Sequence, residues 1–164
     1  MRINCHTPIF FDASVLVAGS HSPQGGSALV LYACKAGSFR AQTSFLVLLE
    51  SLHALGRFPG QSQQRFHRML LKIDWDLVPV PGGERLEYYS RYIDRKDLHV
   101  LAEAVEGGAQ FLLSLDRRHI LAATEVVQQA GLAIVILRPG DFIRQYYSQH
   151  EDYPRLPPAR THPR

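Results

Sequence analysis

Two aspartates in this chain stand at the ends of short apolar runs. Ile9-Phe10-Phe11 leads into Asp12, and Phe111-Leu112-Leu113-Ser114-Leu115 leads into Asp116. A hydroxyl accompanies each: Ser14 follows Asp12 by two residues, and Ser114 precedes Asp116 by two. Short apolar runs bounded by polar residues read as buried strands. In an open parallel sheet, ligands bind beyond the carboxyl ends of the strands, where strand order switches. If these two strands are neighbours, both carboxylates enter one crevice. Two more acids join the candidates. Asp97 opens a helical pattern, and Glu50 is the only acid within the apolar stretch from Phe45 to Leu55. The helical neighbours of Glu50 are Leu46, Val47, His53 and Ala54, so it sits at the edge of the apolar face and can lean inward.

Several carboxylates in one pocket repel. Two like charges about 4 Å apart cost roughly 4 kcal/mol at an effective dielectric near 20. A divalent cation relieves this, and an all-oxygen donor set favours Mg²⁺ or Mn²⁺ with waters completing the shell. Such an ion activates water and neutralises charge on a phosphodiester. Each acid also has a plainer explanation. Asp after a strand often serves only as a helix cap or turn residue, and Asp97 suits a simple cap. Glu50 taken alone suits a solvated face. His53, His99 and His119 make no HxH or HExxH spacing, which argues against a zinc site. The joint pattern, rather than any one acid, points to a metal centre.

Periodicity supplies the elements that position these groups. Val15-Leu16-Val17 follow Asp12 and lead to a loop over His21–Gly26. Ser27 is the expected cap of a helix to Lys35, with Ala28, Leu31 and Tyr32 at helical spacing and Gly37 as the stop. Phe39–Thr43 reads as a second strand. Thr43 or Ser44 caps a helix to Leu55, with Phe45, Leu48, Leu49, Leu52 and Leu55 as its expected buried stripe. Phe66, Met69, Leu70 and Ile73 mark the next helix, and Trp75–Val80 a strand. Residues 84–93 read as a helix packed through Tyr88, Tyr89 and Tyr92. A helix from Asp97 to Gly107-Gly108 buries Leu98, Leu101, Ala102 and Val105. A helix over 119–130 stops at Gly131, and Leu132–Leu137 forms a last strand. Strands alternating with helices imply a mostly parallel sheet covered on both faces, a three-layer α/β/α sandwich.

The 164 residues suit one domain, residues 1–151, followed by a Pro/Arg-rich tail over 152–164 that is expected to be disordered. Hydrophobic residues make up 46% and charged residues 20%, an ordinary globular balance. No apolar run reaches the roughly 18 residues of a membrane span. The first residues lack the apolar core of a signal peptide. Cys5 and Cys34 form no CxxC spacing, so a disulfide framework is not expected and a reducing, cytoplasmic setting fits. A net charge of +3 permits a nucleic-acid partner without requiring one.

The chain resembles PIN-domain nucleases, and most of all the VapC-type toxins of bacterial toxin–antitoxin pairs. The resemblance spans about Ile9 to Tyr146. Its most specific part is Arg95-Lys96-Asp97-Leu98-His99-Val100-Leu101-Ala102-Glu103-Ala104, then Gly107-Gly108-Ala109-Gln110-Phe111-Leu112-Leu113-Ser114-Leu115-Asp116. This is similar to the family's acid-led helix, its Gly-Ala turn and its strand with a hydroxyl two before the next Asp. Phe11-Asp12-Ala13-Ser14 is similar to the family's opening, Glu50 to its single embedded Glu, and Pro139-Gly140-Asp141-Phe142 to its closing turn. The resemblance implies Mg²⁺- or Mn²⁺-dependent cleavage of RNA. Asp12, Glu50, Asp97 and Asp116 would be the catalytic acids, with Asp12, Asp97 and Asp116 on the metal and Ser14 and Ser114 in support. Asp94 competes with Asp97 for the third position. Arg95, Lys96, Arg117 and Arg118 flank the acids as candidate phosphate contacts. A small antitoxin protein, a homodimer and no membrane association are the implied partners. Two other readings stay open. A phosphatase with Asp12 as nucleophile is less favoured, because a second acid is wanted where Ser14 stands. A non-catalytic module that binds RNA or protein is argued against by the presence of all four acids.

Overall fold

The computed structural model describes residues 2–153. Five strands, β1 Pro8–Phe11, β2 Arg40–Thr43, β3 Trp75–Leu77, β4 Phe111–Leu113 and β5 Val135–Leu137, form one sheet in the order β3-β2-β1-β4-β5. All pairs are parallel. The helices are α1 Ala13–His21, α2 Gly26–Lys35, α3 Phe45–Leu55, α4 Gly60–Lys72, α5 Gly83–Tyr88, α6 Leu98–Glu106, α7 Thr124–Gln129 and α8 Pro139–Gln145. Parallel neighbours need crossovers, and these are right-handed almost without exception. From β1 the chain steps outward to β2 and β3, then returns past β1 to β4 and β5. The reversal of direction sends α1–α4 to one face and α5–α7 to the other. The contacts agree: α1 packs on α2, α3 and α4, and α5 packs on α6. The result is a three-layer α/β/α domain.

The centre of the sheet is dry. Ile9, Phe10, Phe11, Phe111, Leu112 and Leu113 are fully buried, as strands covered on both faces must be. Register pairs Phe11 with Leu113, so β1 and β4 end level with one another. The backbone N–H of Asp12 donates to the Leu113 carbonyl at 3.1 Å, and that of Ser114 to the Leu137 carbonyl at 3.1 Å. Asp12 and Ser114 therefore leave the sheet side by side.

Several expected elements take a different form. The segment after Asp12 is a nine-residue helix, α1, where only an apolar triplet and a loop were expected. Gly25, not Ser27, precedes α2, and Ser27 is buried in its first turn. The expected strands over Trp75–Val80 and Leu132–Leu137 shrink to three residues each. The helix expected over 119–130 is a 3-10 turn, Leu121–Ala123, followed by α7. Tyr89 is buried, but Tyr88 is exposed. The largest correction concerns α3. Phe45 is 66% exposed, and Leu49 and Leu52 are 46% and 42% exposed, while Val47, Ser51 and Leu55 are buried. The helix has apolar residues on more than one side, so spacing alone does not tell which side meets the core. The Pro/Arg-rich segment beyond Tyr153 lies outside the described residues. Asp152 and Tyr153 still touch the domain, through Ser38 and the Tyr147 ring.

Candidate metal centre

Asp12 precedes α1, but its side chain caps no backbone N–H of the first turn. Its Oδ2 instead accepts from Ser14 Oγ at 2.6 Å and from Ser114 Oγ at 2.8 Å. The two hydroxyl oxygens are 3.3 Å apart. Each hydroxyl also accepts a backbone N–H, Ser14 from Leu115 at 2.9 Å and Ser114 from Asp116 at 3.0 Å. The hydroxyl pair thus stitches the end of β1 to the end of β4. Asp12 is 5% exposed, so its carboxylate depends on these donors.

Asp116 is held differently. Its Oδ1 accepts the backbone N–H groups of Arg118 and His119 at 2.9 and 3.1 Å, a local turn. Its Oδ2 lies 3.1 Å from His119 Nδ1. Burial pushes its pKa up, but the His119 ring and these two N–H groups outweigh burial and hold the carboxyl below its usual range. The plain turn function expected of such an Asp is real here for one oxygen. The other faces the crevice.

Asp97 ends the 3-10 turn Arg95–Asp97 and leads into α6 without capping it. Its Oδ2 is buried and accepts no hydrogen bond, although His119 Nδ1 lies 3.4 Å away. Burial, then the neighbouring Asp116, raise its pKa, with Asp12 adding to the rise and His119 and Lys96 opposing it. Asp94 is exposed, and its carbonyl accepts the Asp97 N–H. Asp97, not Asp94, therefore sits among the other acids.

Glu50 leans toward the same place from α3. Burial raises its pKa first; His99 lowers it, and Asp12 and Asp97 raise it further. Its Oε1 lies 2.9 Å from His99 Nε2, with nearly half the side chain exposed. Behind His99 stands Glu103, one helical turn on, fully buried. Neither Glu103 oxygen has a clear hydrogen bond. Burial raises its pKa; the Ser44 hydroxyl and His99 pull it down and Glu50 pushes it up.

The four predicted acids thus converge at the carboxyl ends of β1 and β4, on either side of the point where strand order reverses. Sequence reasoning missed three companions: His119, His99 and Glu103. His119 lies three residues after Asp116, and His99 and Glu103 share a helix face with a four-residue spacing. Those separations are short, but no standard metal spacing marks them. Lys96, Arg117 and Arg118 are exposed around the crevice, and Arg95 makes a 3.2 Å exposed pair with Glu87. No helix among the described residues is long and apolar enough to cross a membrane.

The donors suit a divalent cation. One oxygen each of Asp97 and Asp116 and the Nδ1 of His119 lie within 4.8 Å of one another. The unpartnered Asp97 oxygen is the kind of buried group that a cation satisfies.

No family model matches the chain, and no curated protein matches it. Solved structures do. The crystal structure of VapBC2 from Rickettsia felis bound to a DNA fragment from their promoter matches with a TM-score of 0.55 at 12% identity. That match covers 80% of this chain and 98% of the other. PAE2754 from Pyrobaculum aerophilum matches with a TM-score of 0.50 at 16% identity, covering 88% and 99%. The strand order, the three layers and this likeness together give the chain a VapC-like PIN-domain fold.

Proposed function

We propose that this protein is a metal-dependent endoribonuclease acting as the toxin of a bacterial toxin–antitoxin pair. The observation that carries the reading is the meeting of Asp12, Asp97 and Asp116, with Glu50 beside them, at the switch point of the sheet. Asp97 offers an oxygen without a donor, and Asp116 one that meets only the His119 ring, to Mg²⁺ or Mn²⁺, and Asp12, fixed by its two serines, completes the acidic wall. The cation supplies charge neutralisation on the phosphodiester and a more acidic water. Glu50 is the candidate for proton transfer: it is half-exposed, and burial raises its pKa above the usual carboxylate range. Lys96, Arg117 and Arg118 hold backbone phosphates on either side of the scissile bond.

The same reading includes two protein partners. A cavity of about 360 Å³ beside α1, α2 and α4 has Leu31 and Met69 in its lining and Lys35, Arg68 and Lys72 at its rim. An apolar floor with a cationic rim fits an amphipathic antitoxin helix that carries acidic residues. The bare outer face of α3, with Phe45, Leu49 and Leu52, fits a second copy of this chain.

The test is cleavage of total cellular RNA with Mg²⁺ or Mn²⁺, beside EDTA and the Asp12→Asn/Asp116→Asn double variant. Discrete products lost in EDTA and in the variant are expected. RNA binding that persists in EDTA, with no cleavage by the metal-loaded protein, would replace the nuclease with a non-catalytic module.

A further inference from the structure

His119 is held where a second-row side chain would not need to be. Its own backbone N–H donates to Asp116 Oδ1 at 3.1 Å, which closes a turn and folds the imidazole back over the carboxylate. Nδ1 then comes within 3.1 Å of Asp116 Oδ2 and 3.4 Å of Asp97 Oδ2. The second contact is not a hydrogen bond, because that Asp97 oxygen is left without a donor. One ring N–H can serve only one of the two acids. A cation between the three atoms would serve both acids and use the ring nitrogen as well.

Resting on the nuclease reading above, we propose that His119 is a direct metal ligand through Nδ1, and that it makes the site select Mn²⁺ over Mg²⁺. Three observations agree. One carboxylate oxygen each of Asp97 and Asp116 and a ring nitrogen of His119 lie within 4.8 Å of one another. The other Asp116 oxygen is committed to backbone N–H groups, so Oδ2 is the one left for an ion. Asp12 Oδ2 is likewise committed, to Ser14 and Ser114, so Asp12 has only its other oxygen to offer, and the histidine brings a nitrogen donor to the set. Mg²⁺ holds oxygen ligands and water tightly and gains little from imidazole. Mn²⁺ accepts carboxylate oxygen and stands with the first-row divalent ions that bind imidazole nitrogen. A mixed nitrogen and oxygen set therefore discriminates where an all-acid set does not.

The experiment is calorimetric titration of the full-length protein with Mn²⁺ alone and with Mg²⁺ alone, joined to pulsed electron paramagnetic resonance of the Mn²⁺-loaded protein. His119→Ala and His119→Asn are carried alongside, with circular dichroism to confirm folding. The wild type is expected to show coupling of Mn²⁺ to a directly bound ¹⁴N nucleus. Both variants lose that coupling, bind Mn²⁺ roughly tenfold more weakly or worse, and bind Mg²⁺ within about twofold of wild type. A folded wild type that binds Mn²⁺ without nitrogen coupling overturns the proposal, whatever the variants do. So does a variant that binds both ions more tightly, since His119 would then be an occupant that the metal displaces. In either case RNA cleavage can persist and the nuclease reading stands. Failure of the wild type to bind any divalent ion ends both.

Discussion

Glu103 shows how much one residue can bear. It is a fully buried carboxyl without a clear hydrogen bond, one turn beyond His99 on α6. Its pKa is raised, chiefly by burial, above the ordinary value of 4.5. Below that value the group is neutral in folded and unfolded chains alike. Above it the unfolded chain releases the proton first, so stability falls as pH rises until the folded group ionises too. Glu103→Gln removes this dependence. Its stability relative to wild type should climb by about 1.4 kcal/mol for each pH unit over which only the folded Glu103 keeps its proton. Urea denaturation at intervals from pH 4.5 upward measures this, and a difference that stays flat with pH would refute it. Ser114 makes the opposite case. Its hydroxyl serves the buried Asp12 carboxylate and the Asp116 N–H together. Ser114→Ala should cost about 1–3 kcal/mol, because it leaves a buried charged group short of a donor. An unchanged melting temperature would show that water replaces the hydroxyl.

At the scale of elements, α6 and β4 carry most of the centre, and their junction is tight. Gly108 turns the chain out of α6 with φ +72°, and three residues later β4 begins at Phe111. A side chain there costs about 1–2 kcal/mol in the left-handed region. Gly108→Ala should therefore lower the melting temperature. Gly60, at the start of α4, has open space around its Cα and no unusual φ. Gly60→Ala should be neutral or stabilising by up to about 1 kcal/mol. The same thermal scan reads both, and equal effects at the two sites would contradict the backbone argument. The α3 helix answers to a different constraint. Ser44 accepts the Val47 N–H as its cap, which fixes where the helix begins, and burial of Val47, Ser51 and Leu55 fixes its rotation. That rotation turns Glu50 toward His99 and leaves Phe45, Leu49 and Leu52 outside.

For the whole molecule, the exposed α3 face predicts self-association. Sedimentation of the wild type at micromolar concentration should give a dimer, and Leu49→Lys/Leu52→Lys should give a folded monomer. A wild type that sediments as a monomer throughout would remove the second copy from the proposed function. It would leave the metal centre untouched, since its predicted acids and His119 all come from one chain. The cation-rimmed cavity beside α1, α2 and α4 is a separate surface, so the two partners are testable apart.

The sequence by itself determined what is local. Alternating apolar runs and helical periodicity set the succession of strands and helices. The glycines at positions 37, 108 and 131 stop helices because each adopts positive φ, a conformation that other residues disfavour. The acids at the ends of β1 and β4 were legible for the same reason: a charge that ends a dry strand has nowhere to go but the crevice. Only the tertiary structure decided what depends on neighbours far along the chain. It set β1 beside β4, brought Ser14 to Ser114 across a hundred residues and chose Asp97 over Asp94. It also turned α3 so that Phe45, Leu49 and Leu52 of its expected stripe face out while Leu55 stays buried and Leu48 packs on the core, because the apolar residues of that helix offered the core more than one side. And it placed His119 between two carboxylates from different elements, a position defined by distance and direction rather than by spacing in the chain.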